Sequence, residues 1–391
     1  MPWKETEPMN EKIKFISAYL KRDGSTFQEL CEQFQISCKT GYKYINRYKE
    51  EGVEGLKERS RAPHILANKM PSHVEKSILD LKIKHPTWGS KKLRNWLLQE
   101  RSDSQWPAKS TIDDLLKRYG LVVPAKRKRR VPPYTRPLGD CNKANDSWSI
   151  DYKGQFLLGN KELCYPLTVT DNFSRYVLAI KGSNRISGQE TKIVLTSLFL
   201  EYGLPWVMRS DNGSPFAGNA LGGLSALAVW LIKLDIIPER IRKGHPEENG
   251  RHERMHLTLK KETASPPKFD QRQQQQVFDT FKLEFNEERP HEGIQFNRPA
   301  RLYTPSARQL PSKLPQIEYD DSFEKTRRIR TNGTMKWNGK EIFISETLTG
   351  ETIGMKPHSE YEWLIHFSFL PIGIFNEKTL KVNKLTIETA T

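Results

Sequence analysis

Apolar positions three and four apart dominate the first third of the chain, and that spacing predicts helices. Ile13, Ile16 and Leu20 open the pattern. In STFQELCEQFQISCKTGYKYINRYKEEG, Ser25 or Thr26 can cap a helix, and Glu29 stands three residues after Thr26 as in a capping box. Leu30 and Phe34 form an apolar pair four apart, Ile36-Ser37 makes a short turn, and a following helix carries Tyr42, Ile45 and Tyr48. Two short helices across a tight turn predict a helix-turn-helix unit within residues 1–62. A similar arrangement is expected at residues 70–123. There Val74, Ile78 and Leu81 line one helix and Pro86 stops it. TWGSKKLRNWLL begins the next, and a third runs from a cap at Ser110 or Thr111 to a stop at Gly120.

The pattern changes twice after that. Residues 124–140, with PAKRKRRVPPYTRP, hold prolines that block regular structure and predict a linker. Residues 141–310 mix short strands (SWSIDYKGQF, YPLTVTDNFSRYVLAI, WVMRSDNG) with helices: ETKIVLTSLFLEYG, one beginning near Arg251, and one from about Gln274 to Phe285. Gln273 to Gln276 are expected on the polar face of that last helix. From residue 325 to 385, TMKWNGKEIFIS gives a hairpin around Asn-Gly, and TIGMKP, YEWLIHFSF and PIGIFN add strands. Strand number and turn spacing predict a small β-barrel, SH3-like. The expected fold is therefore multidomain: all-α at the start, α/β in the centre and β at the end.

Charge narrows the partner. Lysine and arginine total 63 against 47 acids, a net charge of +16, so a polyanion is the first partner to consider. Lys39, Thr40, Lys43 and Arg47 on the second helix suit phosphate and base edges. The run Lys126, Arg127, Lys128, Arg129 and Arg130 suits a DNA backbone. The four cysteines include no C-x-x-C pair, which leaves zinc-ribbon and disulfide-scaffold classes unsupported and fits a reducing compartment. The charged N-terminus lacks a signal-peptide core, and no stretch reaches the roughly 18 apolar residues that span a bilayer. A cytoplasmic, DNA-associated protein is expected.

Three acids stand out by their surroundings. Asp151 follows an apolar strand position in WSIDYKG. Asp211 ends a strand before Asn-Gly in MRSDNGSPF. Glu253 lies in the first turn of a helix, after the breaker Asn249-Gly250 in HPEENGRHERMH. A carboxylate at a buried strand end is costly unless paired or metal-bound. Three that converge can hold two Mg²⁺ ions, with Mn²⁺ as a substitute, because hard cations take oxygen ligands. Asp171 is expected to fix a strand turn, through Arg175. Glu262 faces away from Glu253, whereas His256 and Lys260, three and seven residues on, share its face and are expected beside DNA. His252-Glu253-Arg254-Met255-His256 also matches the zinc-protease pattern H-E-x-x-H. That pattern explains neither the other motifs nor the basic N-terminal half.

WSIDYKG, TDNFSRY, YGLP, RSDNGSPF and HPEENGRHERMH together resemble the integrase core of retroviral integrases and bacterial insertion-sequence transposases. NEERPHEGI and the run Tyr303-Thr304-Pro305-Ser306 resemble the end of that core in the bacterial group. The resemblance covers about residues 10 to 310. It implies an RNase H-like fold and an Asp-Asp-Glu triad at Asp151, Asp211 and Glu253. The implied activity is cutting element ends to 3′-OH and joining them to target DNA, and two ends imply a homo-oligomer. The gap between Asp211 and Glu253 exceeds the usual, which predicts an insertion near Leu221 to Leu227. Two rivals remain open at this level: a non-catalytic DNA-binding regulator, and a nuclease that cuts without joining.

Overall fold

The computed structural model describes residues 8–21, 24–59, 70–101, 105–122, 141–218, 220–242 and 245–385. They divide into two compact units, Met1–Pro71 and Ser72–Thr391.

The first unit holds α1 (Pro8–Lys21), α2 (Phe27–Gln33) and α3 (Cys38–Glu51). Thr26 and Glu29 form the expected reciprocal capping box, and Ser37 caps α3. The helices lie where periodicity put them, but the buried faces differ. In α1 the core residues are Phe15 and Ile16, while Ile13 and Leu20 are exposed. In α3 the buried positions are Gly41, Tyr44 and Ile45, and Tyr42 lies outside against Phe27. Gly41 explains the choice. A Cβ there would lie 2.9 Å from both Cys31 Sγ and the Phe27 ring, so α3 approaches α2 closely on that side. Lys12 lies in the core, its ammonium held by the Leu56 carbonyl at 3.2 Å and by Glu58 at 2.8 Å.

The second unit begins with α4 (Ser72–Lys84), α5 (Ser90–Glu100) and α6 (Lys109–Arg118). Val74, Ile78 and Leu81 line α4 as expected, but α6 starts from Ala108, ahead of the predicted serine or threonine cap. These helices dock on the α/β core. Lys84 pairs with Glu288 at 2.8 Å, His85 Nδ1 meets Glu284 at 3.0 Å, and Arg298 pairs with Glu100 at 2.5 Å.

The core sheet comprises β1 (Ser147–Tyr152), β4 (Leu167–Asp171), β5 (Val177–Lys181), β6 (Val207–Ser210) and β7 (Ile237–Arg240). The hairpin β2 (Phe156–Leu157) and β3 (Leu163–Cys164) lies beside it. The order is β5-β4-β1-β6-β7; β5, β4 and β1 run antiparallel, and β1, β6 and β7 parallel. Strand alternation sorts the two faces. Trp148, Ile150, Leu167 and Val169 pack against α7 (Gly188–Tyr202) and α8 (Ala226–Lys233). The opposite face carries α9 (Gly250–Thr263) and α10 (Gln271–Glu287), packed through Met255, Leu259, Phe278, Phe281 and Phe285. The glutamine tract is not simply a polar face. Gln274 is fully buried, donating to the Thr263 carbonyl and accepting from the Lys268 amide, and Gln275 bonds Gly182 and Ile180.

Past α11 (Pro299–Leu302) the chain forms a five-stranded antiparallel sheet in the order β14-β13-β12-β11-β8: β8 (Lys325–Arg328), β11 (Thr352–Ser359), β12 (Glu362–Phe367), β13 (Leu370–Asn376) and β14 (Lys381–Lys384). A separate hairpin pairs β9 (Thr334–Trp337) with β10 (Lys340–Phe343). Its turn residues Asn338 and Gly339 have φ of 46° and 82°, the type I′ signature. Sheet and hairpin share one core, but their described strands form no closed hydrogen-bonded barrel. The segment from Leu221 onward serves two cores: Leu221, Leu224, Ala228, Val229 and Ile232 belong to this C-terminal core, while Leu227, Trp230 and Leu231 belong to the α/β core. Helix α8 is apolar all round because both cores use it.

Candidate active site

Asp151 stands near the end of β1, on the face opposite Ile150 and therefore toward α9. Asp211 directly follows β6, the parallel neighbour of β1, so both acids leave the same end of the sheet. The Asp211 carboxylate accepts the Gly213 amide at 2.9 Å, a local turn that holds it in place. Glu253 lies in the first turn of α9 and is exposed. Both other acids act on Asp151: burial first, then the charges of Asp211 and Glu253, push its carboxyl up to about 7 against the Tyr152 amide and Lys153. Among the described residues no lysine or arginine pairs with Asp151; the group facing it is His256, whose Nδ1 lies 3.8 Å from Oδ2. A largely buried carboxyl that feels two further acids suits a divalent ion, and among the described residues the ligand atoms lying within 4.8 Å of one another are those of Asp151, His252 and His256.

Beneath these acids lies a network that the pattern of charges did not disclose. Thr168 pairs with Asp151 across β1 and β4, so its side chain emerges on the same face. Its Oγ1 is 3.0 Å from the Asp151 carbonyl, 2.6 Å from His252 Nε2 and 2.7 Å from His256 Nε2. Thr170, two residues along the strand, meets His252 Nδ1 at 2.9 Å. Both imidazoles are buried, and burial lowers His252 to about 3 and His256 to about 2, so both are neutral. The H-E-x-x-H coincidence thereby receives a physical account. The two Nε2 atoms that a zinc protease would turn to metal converge here on a threonine hydroxyl. The alternation in LTVTD, which sets Thr168 and Thr170 on one face, was the available signal.

Other expected residues fall as follows. His256, expected beside DNA, is buried at 6% exposure, because the hydroxyl of Thr168 draws its ring inward. Lys260, further along α9, is exposed. Glu262 turns away from the acids to Arg289 and Thr87. Asp171 does fix its turn, but through the Ser174 amide and hydroxyl, both at 2.7 Å, and the Asn145 amide at 2.8 Å; the Arg175 side chain bonds the Asn172 carbonyl instead. In the first unit Lys39 and Lys43 are exposed, Thr40 is half-buried beside Ser37, and Arg47 is half-buried with its guanidinium near the Tyr44 ring. Lys126 to Arg130 lie outside the described residues. No helix of the described residues is long and apolar enough to cross a membrane.

Residues 142–246 and again 234–299 match the integrase core domain family. Residues 11–64 match a helix-turn-helix domain, and 40–116 a homeodomain-like domain. Among curated proteins, an uncharacterized protein of insertion element IS407 from Burkholderia multivorans is 26% identical over 48% of this chain and 66% of its own length. One from insertion element IS476 of Xanthomonas euvesicatoria is 28% identical over 42% of this chain and 47% of its own. The chain thus spans under two thirds of either relative. Among solved structures, the magnesium-bound HTLV-2 integrase catalytic core is 14% identical, with a TM-score of 0.33 over 41% of this chain and 98% of that one.

Proposed function

We propose that this chain, a relative of insertion-element proteins with an integrase core behind helix-turn-helix domains, cuts element ends in double-stranded DNA and joins the 3′-OH ends to target DNA. The observation that carries the reading is the buried Asp151 carboxyl, pushed up by burial and then by the charges of Asp211 and Glu253. Like charges held together at an energetic cost mark a site built for a cation. Asp151, Asp211 and Glu253 would hold two Mg²⁺ ions, or Mn²⁺ in their place. Such ions, when bound, lower the pKa of an attacking water and stabilise the leaving oxygen of a phosphodiester.

The chain's own residues do the rest. Asp151 is fixed through its carbonyl by Thr168, and Asp211 through its carboxylate by the Gly213 amide, so two of the acids are set in place before DNA arrives. Lys260, on the exposed side of α9, is assigned to a phosphate beside the scissile bond. Lys39, Thr40, Lys43 and Arg47 are assigned to element ends, and Lys126, Arg127, Lys128, Arg129 and Arg130 to the DNA backbone between binding and catalytic parts. We assign residues 1–62 and 70–123 to DNA binding, 124–140 to the linker, 141–310 to catalysis and 325–385 to a small SH3-like module. Two ends processed together call for a homo-oligomer, working on DNA in a bacterial cytoplasm. The test is an in vitro reaction with element-end DNA, a target plasmid and Mg²⁺. Joined products support the reading; cut but unjoined DNA reduces it to a nuclease, and binding alone to a regulator.

A further inference from the structure

The hydrogen bonds around Thr168 fix which nitrogen of His256 carries its proton. A threonine hydroxyl has one proton and two lone pairs. The Asp151 carbonyl can only accept, and at 3.0 Å it takes the hydroxyl proton. Both Nε2 atoms at 2.6 and 2.7 Å must then donate, which makes His252 and His256 neutral Nε2–H tautomers. The remaining nitrogen of His252 is satisfied, because Nδ1 accepts from Thr170 at 2.9 Å. The remaining nitrogen of His256 is a bare lone pair. It faces Asp151 Oδ2 at 3.8 Å, and a carboxylate oxygen is itself an acceptor. Once Asp151 is ionised, two acceptors face each other across that gap, and a proton between them or a cation near both relieves the repulsion.

The distance suits one. Two ligand atoms at about 2.1 Å from one octahedral ion lie about 3.0 Å apart when adjacent and about 4.2 Å apart when opposite. The 3.8 Å separation lies between those two values, so a shift of under about 1 Å in either side chain brings the pair to one of them. Asp151 and the two histidines also present ligand atoms mutually within 4.8 Å. His252 is excluded by the occupancy of both its nitrogens, which leaves Asp151 and His256.

We propose that His256 Nδ1 is a ligand of the metal ion held by Asp151, so that one of the two ions has a mixed nitrogen and oxygen shell. The inference rests on the reading of Asp151 as a metal ligand. Thr168 is the positioning residue: its hydroxyl fixes the tautomer and orientation of the imidazole, as partners of metal-bound histidines do. An imidazole ligand shifts preference from Mg²⁺ toward Mn²⁺, since Mg²⁺ favours oxygen more strongly.

The experiment loads the full-length chain with Mn²⁺ and records pulsed EPR without DNA. Wild type should show coupling of the manganese to a ¹⁴N nucleus. That coupling should change to the ¹⁵N pattern in protein grown with ¹⁵N-histidine and vanish in His256→Gln. Calorimetry should give His256→Gln on the order of tenfold weaker Mn²⁺ binding and a smaller loss for Mg²⁺. His256→Asn serves if the glutamine variant does not fold. Bound Mn²⁺ that depends on Asp151 but shows no histidine nitrogen overturns this inference and leaves the catalytic reading standing. Nitrogen coupling that persists in both His256 variants also overturns it. Mn²⁺ binding unchanged in Asp151→Asn removes the catalytic reading, and this inference with it.

Discussion

At the scale of single residues, Asp151 makes the site sensitive to pH. Its carboxyl rises from about 3.8 to about 7 through burial and the charges of Asp211 and Glu253. Between those values the folded chain keeps a proton that the unfolded chain has released, so stability falls as pH rises through that window. Removing the charge should therefore help most at high pH. Metal-free Asp151→Asn should melt above wild type at pH 8, by on the order of 1–3 kcal/mol, and close to it at pH 4. The check is a thermal melt in chelator at both pH values; equal differences at the two would refute the linkage. Lys260 is the second residue in question. Lys260→Glu sets a negative charge against DNA phosphate and should strongly impair joining, while stability changes within about 0.5 kcal/mol, as at other exposed positions. Unimpaired joining with an unchanged melt would return Lys260 to solvent.

At the scale of elements, spacing in the sequence located the helices better than it chose their faces. Helix α3 was legible from its cap and length, yet Tyr44 rather than Tyr42 is inside, because Gly41 lets α2 come close on that side. Within α3 only Gly41 marks that approach, and the groups it admits, Cys31 and Phe27, lie on α2. Helix α10 was legible from Phe278, Phe281 and Phe285, but the burial of Gln274 depends on the Thr263 carbonyl and Lys268 amide, backbone groups brought there by the turn before it. Gln274→Ala should leave both without their partner and cost about 1–3 kcal/mol, measured by denaturant unfolding. An unchanged midpoint would mean that water replaces the amide. The exposed face of α3 carries a further expectation. Lys39→Ala with Lys43→Ala in the full chain should weaken binding to element ends and flatten the salt dependence by roughly two ions. An unaltered slope would place both lysines away from phosphate.

At the scale of the whole molecule, the acids were legible because each stands next to a strand end or helix start. The helical N-terminal region and α/β core follow from the same patterns. The histidine–threonine network was not, since it joins a strand and a helix 84 residues apart. Among the described residues the C-terminal strands form no closed barrel. Strand count was readable, but the dependence of β13 and its neighbours on α8 for a shared core was not. The central claim is that Asp151, Asp211 and Glu253 form one metal-dependent centre for cutting and joining DNA. Its most direct test compares wild type with Asp151→Asn, Asp211→Asn and Glu253→Gln in a single assay of element-end cleavage, joining and end binding in Mg²⁺. The account predicts that each variant binds ends as wild type does and neither cuts nor joins; near-wild-type cutting and joining by any one of them would contradict it.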